Sequence, residues 1–342
     1  MKYGYLEFRY GKRRDGQPGS TLPRDISINI GDNIQSIAVR NLFRRIGIAD
    51  GQVIGIDRDS LATYAGEPVS LLMNGCFYQR CFPLPPQVTP LFFGFNTPNG
   101  TVIRKHRALF EKHQPIGCRD TATMMLFRKH RISAYVTGCS TLTLDTRFGA
   151  GGGSGVIISH GKGSGEFPGA LLESMPPSLL SGAEFIYQRQ TVRMAPLGEL
   201  EVAAADETAA RYLDHYRNAS LVVTPLLHVA SPCLGMGVPV ILARKGMDDR
   251  FTSIDRLTPV YVPEIFKSID WSPAAPAMDE LKTHMANCVR QLIDSGKPEP
   301  STVGYFDATY SPGRLKTSVL PEPNSPPRRT LGGLLRKFTG RA

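Results

Sequence analysis

The chain has 342 residues, 41% apolar and 20% charged, enough for two α/β domains of ordinary size with cores of their own. It contains no run of about 18 apolar residues, which excludes a membrane-spanning helix. Its formal charge of +10 is not laid out as a basic stripe with interleaved aromatics, which argues against nucleic-acid binding.

Tyr3, Tyr5, Phe8 and Tyr10 recur among polar neighbours as in a strand. The opening MKYGYLEFRYGKRRDG carries neither the apolar stretch nor the cleavage site of a secretory signal. Asp25–Ile30 leads into a helix with Ile34, Ile37, Ala38 and Leu42 at helical spacing, for which Asp32 or Asn33 is the expected N-cap. Val53–Ile56, Val69–Met73 and Leu91–Phe95 read as buried strands and Arg107–His113 as a helix. Pro115–Asp120 (PIGCRD) is expected to open a helix over Thr121–His130, followed by a strand at Ala134–Val136. This alternation predicts an α/β fold with a doubly wound parallel sheet.

Gly149–Gly155 (GAGGGSG) is the expected hinge. Beyond it the alternation resumes, with strands at Val156–Ser159, Phe185–Gln188, Leu221–Val223 and Val238–Ala243 and helices at Thr208–Asn218 and Met278–Ser295. The expected organisation is therefore a Rossmann-like domain over 1–148, a linker over 149–155, a second Rossmann-like domain over 156–296 and a tail over 297–342. That tail is rich in proline, carries eight Lys and Arg against three acids, and is expected to be disordered. Its Leu331–Phe338 (LGGLLRKF) offers a short basic amphipathic helix for peripheral membrane contact; solvated disorder is the competing reading. The six scattered cysteines include no C-x-x-C pair, and Cys76 and Cys81 have no second cluster to complete a zinc site. They read as reduced thiols of a cytoplasmic protein.

The most informative stretch is Ser220–Ile241, SLVVTPLLHVASPCLGMGVPVI. Two apolar runs joined by a helical segment place His228 just past the carboxyl end of a buried strand, where open parallel sheets bind ligands. Taken with three other blocks, it resembles the polysaccharide pyruvyl transferase family. The first block is Gly31–Ser36, which stands where that family opens with G-D-x-I-Q-[ST]. The second joins Ile56–Asp59 with Met73–Phe77. The third joins Pro115–Asp120 with Thr137–Leu144, similar to the family's S-G-C-x-T-L-T-L. The fourth departs from the family's T-S-R-L-H, because Pro225 and Leu226 hold the serine and arginine positions. A leucine cannot make the bidentate bonds of a guanidinium to an anion. The loss costs about 2–4 kcal/mol of binding unless another cation, such as Arg244 or Lys245, replaces it.

The resemblance implies two Rossmann-like domains facing a cleft, as in the GT-B fold. It implies transfer of pyruvate from phosphoenolpyruvate to two hydroxyls of a sugar, in a lipid-linked or nucleotide-linked precursor of an exopolysaccharide or capsule. Such chemistry needs a general acid, a general base and donors for two anionic groups, with no metal and no redox cofactor. His228 is the first candidate for acid–base work, because imidazole titrates near neutrality; a buried histidine bonded to a carbonyl is the alternative. Arg119, at the start of a predicted helix, is the candidate anion clamp, and Asp120 is either a base or that helix's cap.

Gly31, Asp32 and Asn33 are candidates for phosphate or sugar contact, with Gln35 one turn further on. Asn74 and Gly75, after a buried strand, are candidates for sugar hydroxyls, although a turn explains them equally. Leu227 and Arg250 complete the set. Cys118 and Cys139 read as small core residues, and Gly161–Gly165 as a loop, because it lacks the spacing of a phosphate-binding motif. Two further readings stay open: a glycosyltransferase that uses a nucleotide sugar, and a non-catalytic sugar-binding protein of polysaccharide assembly.

Overall fold

Short apolar runs flanked by turns become parallel strands, and these strands set the architecture. The computed structural model describes residues 1–11, 26–146, 153–192, 195–274 and 277–311. The first half forms β1 (Lys2–Glu7), β2 (Ile26–Asn29), α1 (Ile30–Arg45), β3 (Val53–Asp57), β4 (Val69–Leu72), β5 (Gly75–Cys76), β6 (Val88–Leu91) and β7 (Phe95–Asn96). It continues through α2 (Thr101–Lys105), α3 (Arg107–His113), β8 (Ile116–Cys118), α4 (Thr121–Lys129) and β9 (Ala134–Val136). The second half forms β10 (Val156–His160), α5 (Gly169–Ser174), α6 (Pro177–Leu180), β11 (Ala183–Tyr187), β12 (Arg189–Val192) and α7 (Glu199–Asn218). Then come β13 (Leu221–Thr224), α8 (Leu227–Met236), β14 (Val240–Ala243), β15 (Val260–Tyr261), α9 (Asp279–Ser295) and α10 (Pro300–Thr309).

The second-lobe sheet is parallel throughout, in the order β11-β10-β13-β14-β15. The chain steps from β10 out to β11 and returns past β10 to β13, which puts the topological switch point between β10 and β13. The first lobe has the parallel orders β3-β1-β4-β6 and β5-β7-β8-β9. A backbone bond from Gly117 of β8 to Phe92, just past β6 (3.2 Å), spans the step between the two sets. The molecule is thus α/β, with two lobes built on parallel sheets that border one cavity.

Three local expectations change. Asn29, not Asp32 or Asn33, caps α1 through a bond from Gly31 N to its Oδ1 (3.2 Å); Asp32 and Asn33 fall inside the first turn. Leu91–Phe95 is not one strand but the break between β6 and β7. Ile116–Cys118, expected to open a helix, pairs with β9 as a buried strand.

The lobes are laced together. β2 pairs antiparallel with β12, and Asp206 of α7 accepts from Asn33 (2.9 Å) and Arg40 (2.7 Å) of α1. The ordered chain also passes residue 296. In α10, the Phe306 ring lies 5.8 Å from that of Tyr135, and Tyr310 Oη donates to Thr137 O (3.2 Å). Prolines lead the composition of this region, yet Thr302, Phe306 and Thr309 recur at helical spacing and are buried. Phe306 is 0% exposed, so Phe306→Ala should cost about 3–5 kcal/mol of stability, read by urea denaturation. Residues 312–342 and most of the expected linker lie outside the described residues. Among the described residues, no helix is long and apolar enough to cross a membrane.

Candidate functional site

The carboxyl ends of the parallel sheets in both lobes open on one cavity of about 1340 Å³. Residues at the starts of three helices line it: Asp32 and, one turn on, Gln35 of α1, Ala122 and Thr123 of α4, Leu227 and His228 of α8. Unpaired N–H groups at such ends favour anions. The same walls carry Arg58, Arg80, Arg119, Arg189, Arg244, Arg250 and Lys162.

His228 stands at the second-lobe switch point. Burial, then the fields of Arg119 and Arg250, push its pKa down from the ordinary 6.5 to about 3. The imidazole is therefore neutral at physiological pH, contrary to the expectation that it titrates near neutrality. It can accept a proton or a hydrogen bond there. Between pH 6.5 and about 3 the unfolded chain binds a proton that the folded imidazole refuses, so this group makes stability fall as pH drops through that window. His228→Gln should flatten that part of the pH dependence, measured as urea midpoints from pH 7 to 4.

The start of α1 reaches His228 only because residue 31 is glycine. A Cβ built on Gly31 would lie 2.3 Å from His228 Cβ and 2.8 Å from its Cγ. Asp32, the next residue, faces the cavity. Burial raises its carboxyl above the ordinary value, against the lowering fields of Arg58, Arg119 and Arg189. Asn29 Nδ2 and Gln35 Nε2 each donate to its Oδ1 at 3.4 Å. The site thus holds a carboxyl biased toward its protonated form and an imidazole biased toward its neutral form.

Arg119 follows β8 and is 4% exposed. Among the described residues its Nε is buried without a hydrogen-bond partner, and it lies 3.7 Å from Asp120 Oδ2. Asp120 lines the cavity too, but both its oxygens are engaged. Oδ1 accepts from Thr123 N (2.8 Å) as the cap of α4, and Oδ2 accepts from Asn96 Nδ2 (2.8 Å). Capping, not proton transfer, is what this geometry serves. Bonds from Thr121 Oγ1 to Thr252 O (3.2 Å) and from Ser253 Oγ to Arg119 O (3.0 Å) brace this segment against the second lobe.

Leu226 lies at the N-cap position of α8 and packs toward Gly165, where an added Cβ would come 2.5 Å from Leu226 Cδ2. The Gly161–Gly165 loop, set aside on spacing, thereby forms part of the wall and carries Lys162 into it. Arg244 lies beneath, bonded to Pro225 O and to Asp248 (3.0 Å), with its guanidinium 3.7 Å from the Phe251 ring centroid. Burial lowers its pKa to about 10. Asp248 also binds Arg250 (2.8 Å). Lys245 pairs with Glu166 (2.8 Å) and is not on the wall.

Of the predicted residues, His228, Leu227, Arg119, Asp120, Arg250, Asp32 and Gln35 meet in this cavity. Gly31 backs it. Asn33 does not reach it, being turned to Asp206. Asn74 is 2% exposed and receives Ser140 N (2.9 Å), which ties β4 to the 140–143 turn. Gly75 likewise lies off the wall; Cys76 and Tyr78 beyond it reach the cavity. Sequence reasoning passed over Arg58, Arg80 and Arg189 as site residues. Arg58 and Arg189 each follow a strand's carboxyl end closely, a position that could have marked them. Arg80 lies after β5, and Arg189 is set by its bond to Ser27 Oγ (2.6 Å) across the lobes.

Comparison with known proteins adds a family. The family model for polysaccharide pyruvyl transferase matches residues 29–243. No curated protein matches the chain. Among solved structures, the functionally uncharacterized protein KP1_0663 of Klebsiella pneumoniae subsp. pneumoniae NTUH-K2044 is 12% identical, with 71% of this chain and 83% of that one covered and a TM-score of 0.40. MnaA of S. aureus, in a co-structure with UDP, is 8% identical, with 86% and 97% covered and a TM-score of 0.42.

Proposed function

Because this chain belongs to the polysaccharide pyruvyl transferase family, we propose that its cleft moves the pyruvyl group of phosphoenolpyruvate onto two hydroxyls of one sugar, forming a cyclic ketal. The acceptor is a sugar of an exopolysaccharide or capsule precursor. The observation that carries this reading is the pairing, in one cavity, of a neutral His228 flanked by Arg119 and Arg250 with a protonation-prone Asp32.

Asp32 delivers a proton to the methylene carbon, and the adjacent carbon gains oxocarbenium character. Neutral His228 takes the proton of the first attacking hydroxyl. Phosphate departs, the second hydroxyl closes the ring, and its proton leaves with the phosphate. The proton held by His228 returns Asp32 to its acid form, so the two hydroxyl protons end on the new methyl group and on phosphate. Arg119 and Arg250 hold the anionic ends of the donor, helped by the N–H groups at the start of α8. Leu226 offers no charge, and the cations around it, Lys162 among them, take over that task.

The test is phosphate release from phosphoenolpyruvate by the purified chain, with and without saccharide acceptors. Acceptor-dependent release that His228→Ala and Asp32→Asn both suppress is the expected result. No release across a broad acceptor set overturns the proposal.

A further inference from the structure

We propose that Arg58, on the first-lobe wall, receives an anionic group of the acceptor, a carboxylate or a phosphate. The inference rests on the reading of the cleft above and names the acceptor's chemical class: an acidic or phosphorylated saccharide.

Arg58 follows β3 and is 8% exposed. Its Nε donates to Asp59 Oδ1 (3.0 Å), and its guanidinium lies 4.9 Å from the Phe8 ring centroid and 5.5 Å from that of Tyr78. Two rings and one carboxylate therefore fix its orientation. Among the described residues, no hydrogen bond uses its two terminal nitrogens, and these are not sealed from solvent; the residue lines the cavity. A guanidinium held in a cavity wall with its terminal nitrogens unbonded among the described residues is pre-organised for two oxygens of one anion. Arg80 meets the same Asp59 Oδ1 through Nη2 (2.8 Å) and lies 4.5 Å over Tyr78, which adds a second guanidinium to the wall.

Space agrees with this. A cavity of about 1340 Å³ exceeds the roughly 300–1,000 Å³ of an ordinary small-ligand pocket, so it accommodates a saccharide beside a three-carbon donor. The location also has a consequence for the acid. Arg58 exerts the strongest charge effect on Asp32 and opposes the burial that raises its pKa. An anion docked on Arg58 cancels that opposition and biases Asp32 further toward the protonated form when the acceptor is in place.

The experiment is titration of the full chain, without phosphoenolpyruvate and at low salt, with glucose 1-phosphate, glucuronate and neutral methyl glucoside. At least one anionic probe should bind about tenfold or more tightly than the neutral one, and which of them does so separates phosphate from carboxylate. Arg58→Gln and Arg58→Lys should both lose the preference, because lysine keeps the charge without the fork. Should those variants not fold, Tyr78→Leu, which removes one orienting ring, should weaken the preference instead. The preference should persist in Arg119→Gln, which separates this wall from the donor site. Equal binding of all three probes, or a preference that survives in the Arg58 variants, overturns the proposal. Failure of phosphate release with an intact Arg58-dependent preference would refute the catalytic reading alone.

Discussion

Gly31→Ala is expected to cut turnover by about 100-fold or more and to lower stability by about 1–3 kcal/mol. The added carbon would sit 2.3 Å from His228 Cβ, a separation that no pair of carbons tolerates without movement. His228 Cβ is anchored directly to the backbone of α8, so no rotamer change removes the clash. Either α1 or α8 must shift, and the imidazole moves with it. Gly51→Ala is the matched control, since its added carbon meets nothing within 4 Å, and it should be silent. Phosphate release and urea denaturation on the two variants decide the matter. Unchanged turnover in Gly31→Ala would remove His228 from the reaction.

Arg119→Gln is expected to raise the KM for phosphoenolpyruvate by about 30-fold or more, the loss that follows from removing one charge-assisted anion contact of 2–4 kcal/mol. Arg119→Lys should recover only part of it, because an ammonium does not reproduce the fork. A merely structural arginine could also lower activity, so a second readout is needed. Arg119 is the larger of the two charge effects that push the His228 pKa down. Its removal should therefore move the imidazole pKa upward from about 3, visible in NMR titration of the ring. An unchanged His228 titration would place the two groups too far apart to share a ligand.

Strands were legible where an apolar run is short and bounded, as at Val53–Ile56, Val69–Met73 and Leu221–Val223. Leu91–Phe95 misled because apolar content is blind to register: the run stays buried while the ladder breaks between β6 and β7. The start of α1 was placed too late because Ile30 and Gly31 extend the apolar DISINI pattern, while the capping bond from Gly31 to Asn29 is a local geometry that no period reports. The helix Pro300–Thr309 was hidden by the prolines and charges around it.

Within the site, His228 could be found because it closely follows a parallel strand's carboxyl end, and Arg119 because it stands at the start of a predicted helix. Asp120 could not be resolved into cap or base until both its oxygens were seen to be engaged. Asn33 and Asn74 look like ligands in sequence, yet Asn33 turns its amide N–H to Asp206 and Asn74 its amide oxygen to Ser140. Arg189 follows a strand end that could have marked it, but its orientation depends on the antiparallel pairing of β2 with β12 across the lobes, a long-range contact that one sequence does not encode locally.

The central claim is that one crevice turns groups from both lobes onto a single small anion. A crystal structure of the chain soaked with phosphoenolpyruvate tests it most directly. The donor's two acidic ends are expected within hydrogen-bond reach of residues 119 and 250 and of the first turn of α8, with the side chain of residue 32 toward the methylene carbon. Density for the compound elsewhere on the surface, or an empty crevice at saturating concentration, would contradict it.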